Sequence, residues 1–405
     1  MSERHHLAPS VLGRLTAAKA VANTALRWIP PFLPTLERAF GASTAQLTTV
    51  LGLGETAGLS TIAVGRHLDR RRERTVMVAG LCAISISAVV SLTGSLAAFA
   101  VGFVLLIMGV ANFTVAGHAW ISHRVDYRWR ARSIGLFETS WAMALLVGAP
   151  LIALLINAFG WRAPFAAIAA AAAGAALMTA LTMPAELPHD AVTATADRSL
   201  GAPDDVAAAD DPAPPGPGRL PARAWLLIVG AALMAMSALS VFVISGTWLE
   251  DAFGLSTGGL GTVAMGIGAV ELLGSTGTAT FADRIGKLRS TLGGLSVLVL
   301  GLTTMLLAGG RLAIGVTGLL LLLLGFEFGF VTTFSLVSEA APDARGRTLA
   351  TGNAIGTVAR GTGTLLSGWL YEAHGLAGTG ALSMAAAALA GTCLVLSRRR
   401  PPSSS

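Results

Sequence analysis

Charge is what this chain has least of. Of its 405 residues only 12% are Asp, Glu, Lys or Arg, against roughly a quarter in soluble domains, and a polar-surfaced globular fold is thereby excluded. Cysteine is scarcer still. Cys82 and Cys393 each lie inside an apolar run with no closely spaced partner, which excludes a disulfide framework and reads both as packing residues. No glycine-rich loop ends in Gly-Lys-Ser or Gly-Lys-Thr; Gly286-Lys287-Leu288 lacks the hydroxyl and the upstream glycine, so nucleotide hydrolysis is excluded. Neither a His/Cys cluster nor a Ser-His-Asp arrangement can be traced, so no metal, no cofactor and no enzymatic activity are expected. Met1–Ser10 has charges but no short apolar stretch with a cleavage site, and no removable signal peptide is expected.

What is abundant is apolar sequence, 53% of the chain with a mean hydropathy of +0.68. It falls into runs of about twenty residues, the length a helix needs to cross a bilayer. Twelve are expected: 11–36, 47–64, 76–98, 100–121, 134–159, 163–183, 225–247, 260–281, 292–308, 312–337, 349–370 and 377–396. The reading is an all-α membrane protein. Between the sixth and seventh runs, Pro184–Arg223 is rich in Pro, Ala and Asp and short of large apolar residues, the composition of a flexible linker. The expected organisation is an N-terminal bundle at 1–183, the linker at 184–223, a C-terminal bundle at 224–397 and a tail at 398–405.

The pI near 10.3 does not point to nucleic acid, because the basic residues occupy alternate short loops. Arg66–Arg74, Arg124–Arg132, the linker, Arg284–Arg289, Arg345–Arg347 and Arg398–Arg400 fall on one side, while the other holds little beyond Arg38, Arg162 and Arg311. By the positive-inside rule the first side is cytoplasmic. The expectation is a multi-pass protein of the cytoplasmic (inner) membrane with both termini inside.

An internal repeat organises the chain. Leu36-Glu37-Arg38-Ala39-Phe40-Gly41-Ala42-Ser43-Thr44 returns as Leu249-Glu250-Asp251-Ala252-Phe253-Gly254-Leu255-Ser256-Thr257, and Gly52, Gly54, Asp69-Arg70, Arg132, Gly148 and Gly160 find counterparts in Gly266, Gly268, Asp283-Arg284, Arg347, Gly363 and Gly375. Two homologous six-helix halves follow. Such repeats are one of the recognised transporter designs, with the substrate site between the halves near mid-membrane.

The turn after the second run, with Gly65, Asp69, Arg70, Arg71 and Arg72, resembles motif A of the major facilitator superfamily. Its weaker copy is Ala279, Asp283, Arg284, Gly286 and Lys287. The resemblance covers essentially the whole chain and implies two pseudo-symmetric six-helix bundles around a central cavity. It also implies a gating role for Gly65, Asp69, Arg70, Asp283 and Arg284. Gly148-Ala149-Pro150 keeps the proline of the exporter fifth-helix motif but has Ala149 in a glycine position, and Leu105 stands where proton-coupled exporters usually carry an arginine. The expectation is a drug- or metabolite-exporter-like secondary transporter, moving a small amphipathic molecule against protons, in the bilayer and as a monomer. The alternative is an uptake symporter binding an organic anion through Arg27 and Arg360.

Ionisable residues at membrane depth mark the site, since each unpaired charge at the bilayer centre costs roughly 2.5–3.5 kcal/mol on the gentler scale. Glu55, Glu271 and Glu327 are the expected proton-coupling residues, and Arg27, Trp28, Glu138, Trp141 and Arg360 the expected cavity residues. Matching depth on neighbouring runs pairs Arg27 with Glu55 and Glu327 with Arg360, leaving Glu271 without a cation. His118 reads as a packing histidine. Gly54–Gly58, Gly325–Gly329 and Gly352–Gly356 are small-xxx-small spacings that permit close helix approach.

Overall fold

The computed structural model describes residues 9–64, 72–125, 127–183 and 220–398, and these are helices joined by short turns, with no strand among the described residues. The first half contains α1 (Pro9–Arg27), α2 (Leu33–Phe40), α3 (Thr44–Gly54), α4 (Glu73–Ser91), α5 (Leu96–Arg124), α6 (Tyr127–Met143), α7 (Ala149–Phe159) and α8 (Arg162–Thr182). The second contains α9 (Ala222–Phe253), α10 (Thr257–Ile285), α11 (Lys287–Leu306), α12 (Leu312–Glu339) and α13 (Arg345–Leu396). Most of the linker expected at 184–223 lies outside the described residues, and its last two residues already belong to α9.

Among the described residues, ten helices are long and apolar enough to cross a membrane. Two breaks bear on the count. Pro30 and Pro31 interrupt the first apolar run between α1 and α2, with Pro34 in the first turn of α2, because proline removes donors and clashes with the preceding turn. The 52 residues of α13 are enough for two crossings, and Gly375 divides them into two helical segments with φ 61° and ψ −154°, a conformation that favours glycine. The boundary expected at 98–100 sits earlier, at Leu92–Ser95, where Gly94 takes φ 76°. That turn has no charge to announce it, so a reading based on apolar runs passes over it.

Within each half the helices pack on one another, α4 on α5 and α8, and α9 on α12 and α13. In lipid the hydrophobic effect does not drive helix association, so backbone approach and van der Waals contact must. Gly325 and Gly329 of α12 accordingly meet Gly294 of α11, where a Cβ on Gly294 would lie 2.6 Å from the Gly325 carbonyl and the Gly329 Cα. An aromatic cluster of Phe40, Phe99, Trp161 and Phe165 fills the first half on its less basic side.

The repeat has a structural counterpart. Both copies end a helix with a glycine in the left-handed conformation, Gly41 at φ 59° and Gly254 at φ 65°, and start the next with a serine cap. Ser43 accepts from the Gln46 amide in a full capping box, and Ser256 from the Gly259 amide. These turns sit on the face opposite the arginine-rich one.

Candidate functional site

The two halves meet along α3 against α13 and α7 against α10, and the joins gather at mid-depth and on the turn-bearing face. Gly52 and Gly361 touch through their backbones, Gly368 lies against Thr48, and Gly246 against the Pro30 and Pro31 carbonyls. Polar contacts reinforce this face. Arg38 pairs with Glu250, the Thr247 hydroxyl donates to Glu37 at 2.9 Å, the Ala45 amide to Glu372 at 2.8 Å, and the Trp369 indole to Thr49 at 3.1 Å. The structure is thus closed on the turn-bearing face.

At mid-depth the centre of the site is an ion pair between the halves. Arg27, at the end of α1, donates from both terminal nitrogens to Glu271 of α10 at 2.6 Å, and the pair is about 4% exposed at each end. Arg27 also donates to the Trp141 carbonyl at 2.9 Å and lies over the Trp141 ring at 4.2 Å, with Phe242 at 5.7 Å. This corrects the expected Arg27–Glu55 pairing and the expected lack of a cation at Glu271. Glu55 faces Arg360 instead, at 3.5 Å, in place of the expected Glu327–Arg360 pair. The reason is packing: α3, which leads into Glu55, lies against α13, and the stretch Ala144–Gly148 lies against both α1 and α10, so charges at matching depth pair across the seam rather than between runs adjacent in sequence.

Glu327 is left with a hydroxyl, accepting from Ser275 at 2.6 Å while 8% exposed; among the described residues no cation lies within ion-pair distance of it. Glu271, Arg27 and Glu138 are the charges within its electrostatic reach. A buried carboxylate without a cation is costly, and a proton removes that cost.

Nearer the basic face stands a cluster around Glu138, an expected cavity residue, whose cation Lys19 the sequence reading missed. Lys19 reaches Glu138 at 2.5 Å while 2% exposed and lies 4.1 Å above the Phe137 ring, and His118 contacts the same carboxylate oxygen at 2.6 Å. Asn23 donates to Ser140 beside it at 3.1 Å. Lys19 falls near the start of the first run, where a lysine passes for an end-of-helix residue. One face of α1 carries Lys19, Asn23 and Arg27, at helical spacing, and that period was the available signal.

Trp28 does not line this site. Its ring is 1% exposed, in edge contact with Phe165 and near Phe32, because the residue after Arg27 lies about 100° further around the helix, toward the core of the first half. Gly65, Asp69 and Arg70 lie outside the described residues, and Asp283 and Arg284 fall in the last turn of α10. Two local irregularities flank the seam. The helix tightens to 3₁₀ geometry from Glu55 to Ser60, and it widens to a π turn at Ala144–Gly148 just before Pro150; both forms recur at functional hinges.

Comparison with known proteins agrees with this architecture. The family model described as Major Facilitator Superfamily matches residues 15–364. The uncharacterized MFS-type transporter YwfA of Bacillus subtilis is 25% identical over 391 residues, covering 94% of this chain and 90% of the relative. YceJ, of the same description and organism, is 24% identical over 354 residues, 85% of each chain. Among solved structures, a bacterial homologue of the human lysosomal transporter Spinster, in an inward-facing and occupied conformation, superposes with a TM-score of 0.72 at 18% identity, covering 97% of this chain and 98% of the other. The D-xylose-proton symporter superposes with 0.73 at 16% identity over the same shares.

Proposed function

Because the chain belongs to the Major Facilitator Superfamily and is a secondary transporter rather than an enzyme, we propose that it exports a small amphipathic organic molecule in exchange for protons. The observation that carries this reading is the mid-depth constellation in which Arg27 and Glu271 join the halves while Glu327, beside them, holds a hydroxyl and no cation.

In this reading the arginine-rich face is cytoplasmic, the chain crosses the inner membrane twelve times with both termini inside, and one copy suffices. The α1–α2 pair supplies one crossing and the kinked α13 two. Cargo enters from the cytoplasmic side past Glu138 and His118, which are 44% and 39% exposed. Its cationic or polar head competes with a proton for Glu327, and its apolar part packs on Trp141, Phe242 and Phe326. One site that takes either proton or cargo makes the exchange obligatory: cargo leaves as the proton arrives from outside, and the halves rock about the site. Glu55 and Glu271 are engaged with arginines and act by holding and releasing the seam. Gly65, Asp69, Arg70, Asp283 and Arg284 serve the gate on the cytoplasmic face.

The paired state of Arg27 and Arg360 weighs against an organic-anion symporter, since both arginines already hold carboxylates. The test has two steps. A thermal-shift panel of amphipathic amines, neutral amphiphiles and organic anions on the purified full chain selects cargo. Uptake into inverted vesicles then follows, with and without a pH gradient. The expected result is amine or neutral cargo, uptake that collapses with the gradient, and loss of gradient dependence in Glu327→Gln. Uptake that ignores the gradient, or stabilisation by organic anions alone, overturns the reading.

A further inference from the structure

The repeat that builds the gate on the turn-bearing face differs between its copies at a charge. In the alignment Glu37 corresponds to Glu250 and Arg38 to Asp251. Arg38 of the first copy pairs with Glu250 of the second. Exchanging the halves carries this pair onto Asp251 and Glu37, where the cation has been replaced by an acid. The seam thus has a salt bridge on one side of its pseudo-axis and two carboxylates on the other.

The surroundings of Glu37 show how those carboxylates are tolerated. Thr44 of α3 donates to its Oε1 at 2.7 Å and Thr247 of α9 donates to the same oxygen at 2.9 Å, both hydroxyls belonging to buried residues. Oε2 is free of these bonds. The charged groups around it are Arg38 on its own helix, committed to Glu250, then Asp251, which accepts from the Tyr371 hydroxyl at 2.8 Å, and Glu372, which accepts from the Ala45 amide. No second cation faces Glu37 among the described residues. We propose that Glu37 is a protonation site of the gate, binding a proton on Oε2 as the turn-bearing face closes and releasing it as that face opens.

Electrostatics has the sign this requires. Burial raises the Glu37 carboxyl above its ordinary pKa, with Asp251 and Glu250 adding to the rise and the two threonine hydroxyls opposing it. A carboxyl whose pKa is higher in the closed than in the open state stabilises closure at low pH, and that stabilisation is lost as pH rises through the closed-state value. Deprotonated, the seam places Glu37, Glu250 and Asp251 against the single Arg38. Opening separates Glu37 from the other two. The device stands apart from Glu327, lying at the outer end of the first apolar run rather than at mid-depth.

The test reads the gate and needs no cargo, so it fails or succeeds independently of the export reading. Spin labels on Thr93→Cys and Arg311→Cys, both in exposed turns on this face, report the separation of the halves in the full chain in lipid nanodiscs, with Cys82 and Cys393 replaced by serine. Closed distances are expected to dominate at low pH and an open population to grow as pH rises. Glu37→Gln, a permanent mimic of the protonated form, is expected to reduce that growth, and in a Glu327→Gln background to remove it. Asp251→Arg restores the symmetric ion pair and is expected to stabilise closure while lowering the protonation midpoint by about 1–3 pH units. Glu37→Asp, which keeps a titrating group, is expected to keep a pH response and so separates titration from misfolding. An unchanged pH response in Glu37→Gln, or a midpoint in Asp251→Arg equal to that of the native chain, overturns the proposal.

Discussion

A single methyl group on Gly361 should force the seam open. A Cβ there would lie 2.6 Å from the Gly52 carbonyl, and one on Gly52 would lie 2.5 Å from the Gly361 carbonyl and 2.8 Å from the Leu365 amide and Cβ. Ordinary contact begins near 3.4 Å, so the shortfall is about 1 Å, and it falls on helix backbone that a close-packed interior cannot deform locally. The cost of such overpacking is about 1–3 kcal/mol, borne only by the state in which α3 and α13 touch. Converted to populations, the closed state should lose about 5- to 150-fold relative to the open one. The assay is the distance distribution between labels on the turn-bearing face in Gly361→Ala, with Gly352→Ala as the control. At Gly352, one face of α13 nearer the basic side, the nearest atoms stand at 3.7 and 3.8 Å, and no shift is expected. Should Gly361→Ala and Gly352→Ala give the same distribution, the identification of this contact as the closing seam is wrong.

Three further outcomes follow from the same geometry. Arg27→Met alone should lower stability by about 3–5 kcal/mol, because it leaves a buried carboxylate unpaired, whereas Arg27→Met with Glu271→Leu should restore most of that loss; thermal unfolding in detergent measures both, and equal losses would mean the pair is more exposed than described. Ser43→Ala should cost about 0.5–2 kcal/mol through loss of its cap and more than Ser256→Ala, since only Ser43 has the reciprocal Gln46 bond, and a reversed order in unfolding midpoints would contradict it. Asp69→Asn should impair transport more than Asp283→Asn, because the second copy of the turn has Ala279 in place of its glycine; vesicle transport rates decide this, and equal effects would place the gate in the other half.

Much of the architecture was legible because in a bilayer apolar runs of helical length can hardly be anything else. The all-helical class, the duplication and the proline interruption of the first run all follow from residues visible in the chain. The Leu92–Ser95 turn was passed over because it carries no charge, although Thr93-Gly94-Ser95 was an available turn signal. Glu55, Glu271, Glu327, Arg27 and Arg360 were recognisable as the charged residues at depth, whereas their partners were not. Adjacency in sequence predicts contact within a half, but the charges that matter sit on the helices that face the other half. Trp28 shows the same limit on a smaller scale: an aromatic one residue from Arg27 is about 100° around the helix and enters the core instead of the cavity.

The crossed pairing changes what the buried charges can do. Had Arg27 paired with Glu55 and Arg360 with Glu327, each ion pair would have stiffened one rigid half and had no preference between states. As built, Arg27–Glu271 and Glu55–Arg360 connect opposite halves, so any motion that separates the halves at mid-depth must break or exchange them. A ligand shifts an equilibrium only by its differential affinity for the two states. Groups that bridge the seam carry that differential, and groups within one half do not. In the mechanism proposed above, protons or cargo at Glu327, within reach of both Glu271 and Arg27, would act on the bridge itself, beside the charges that join the halves.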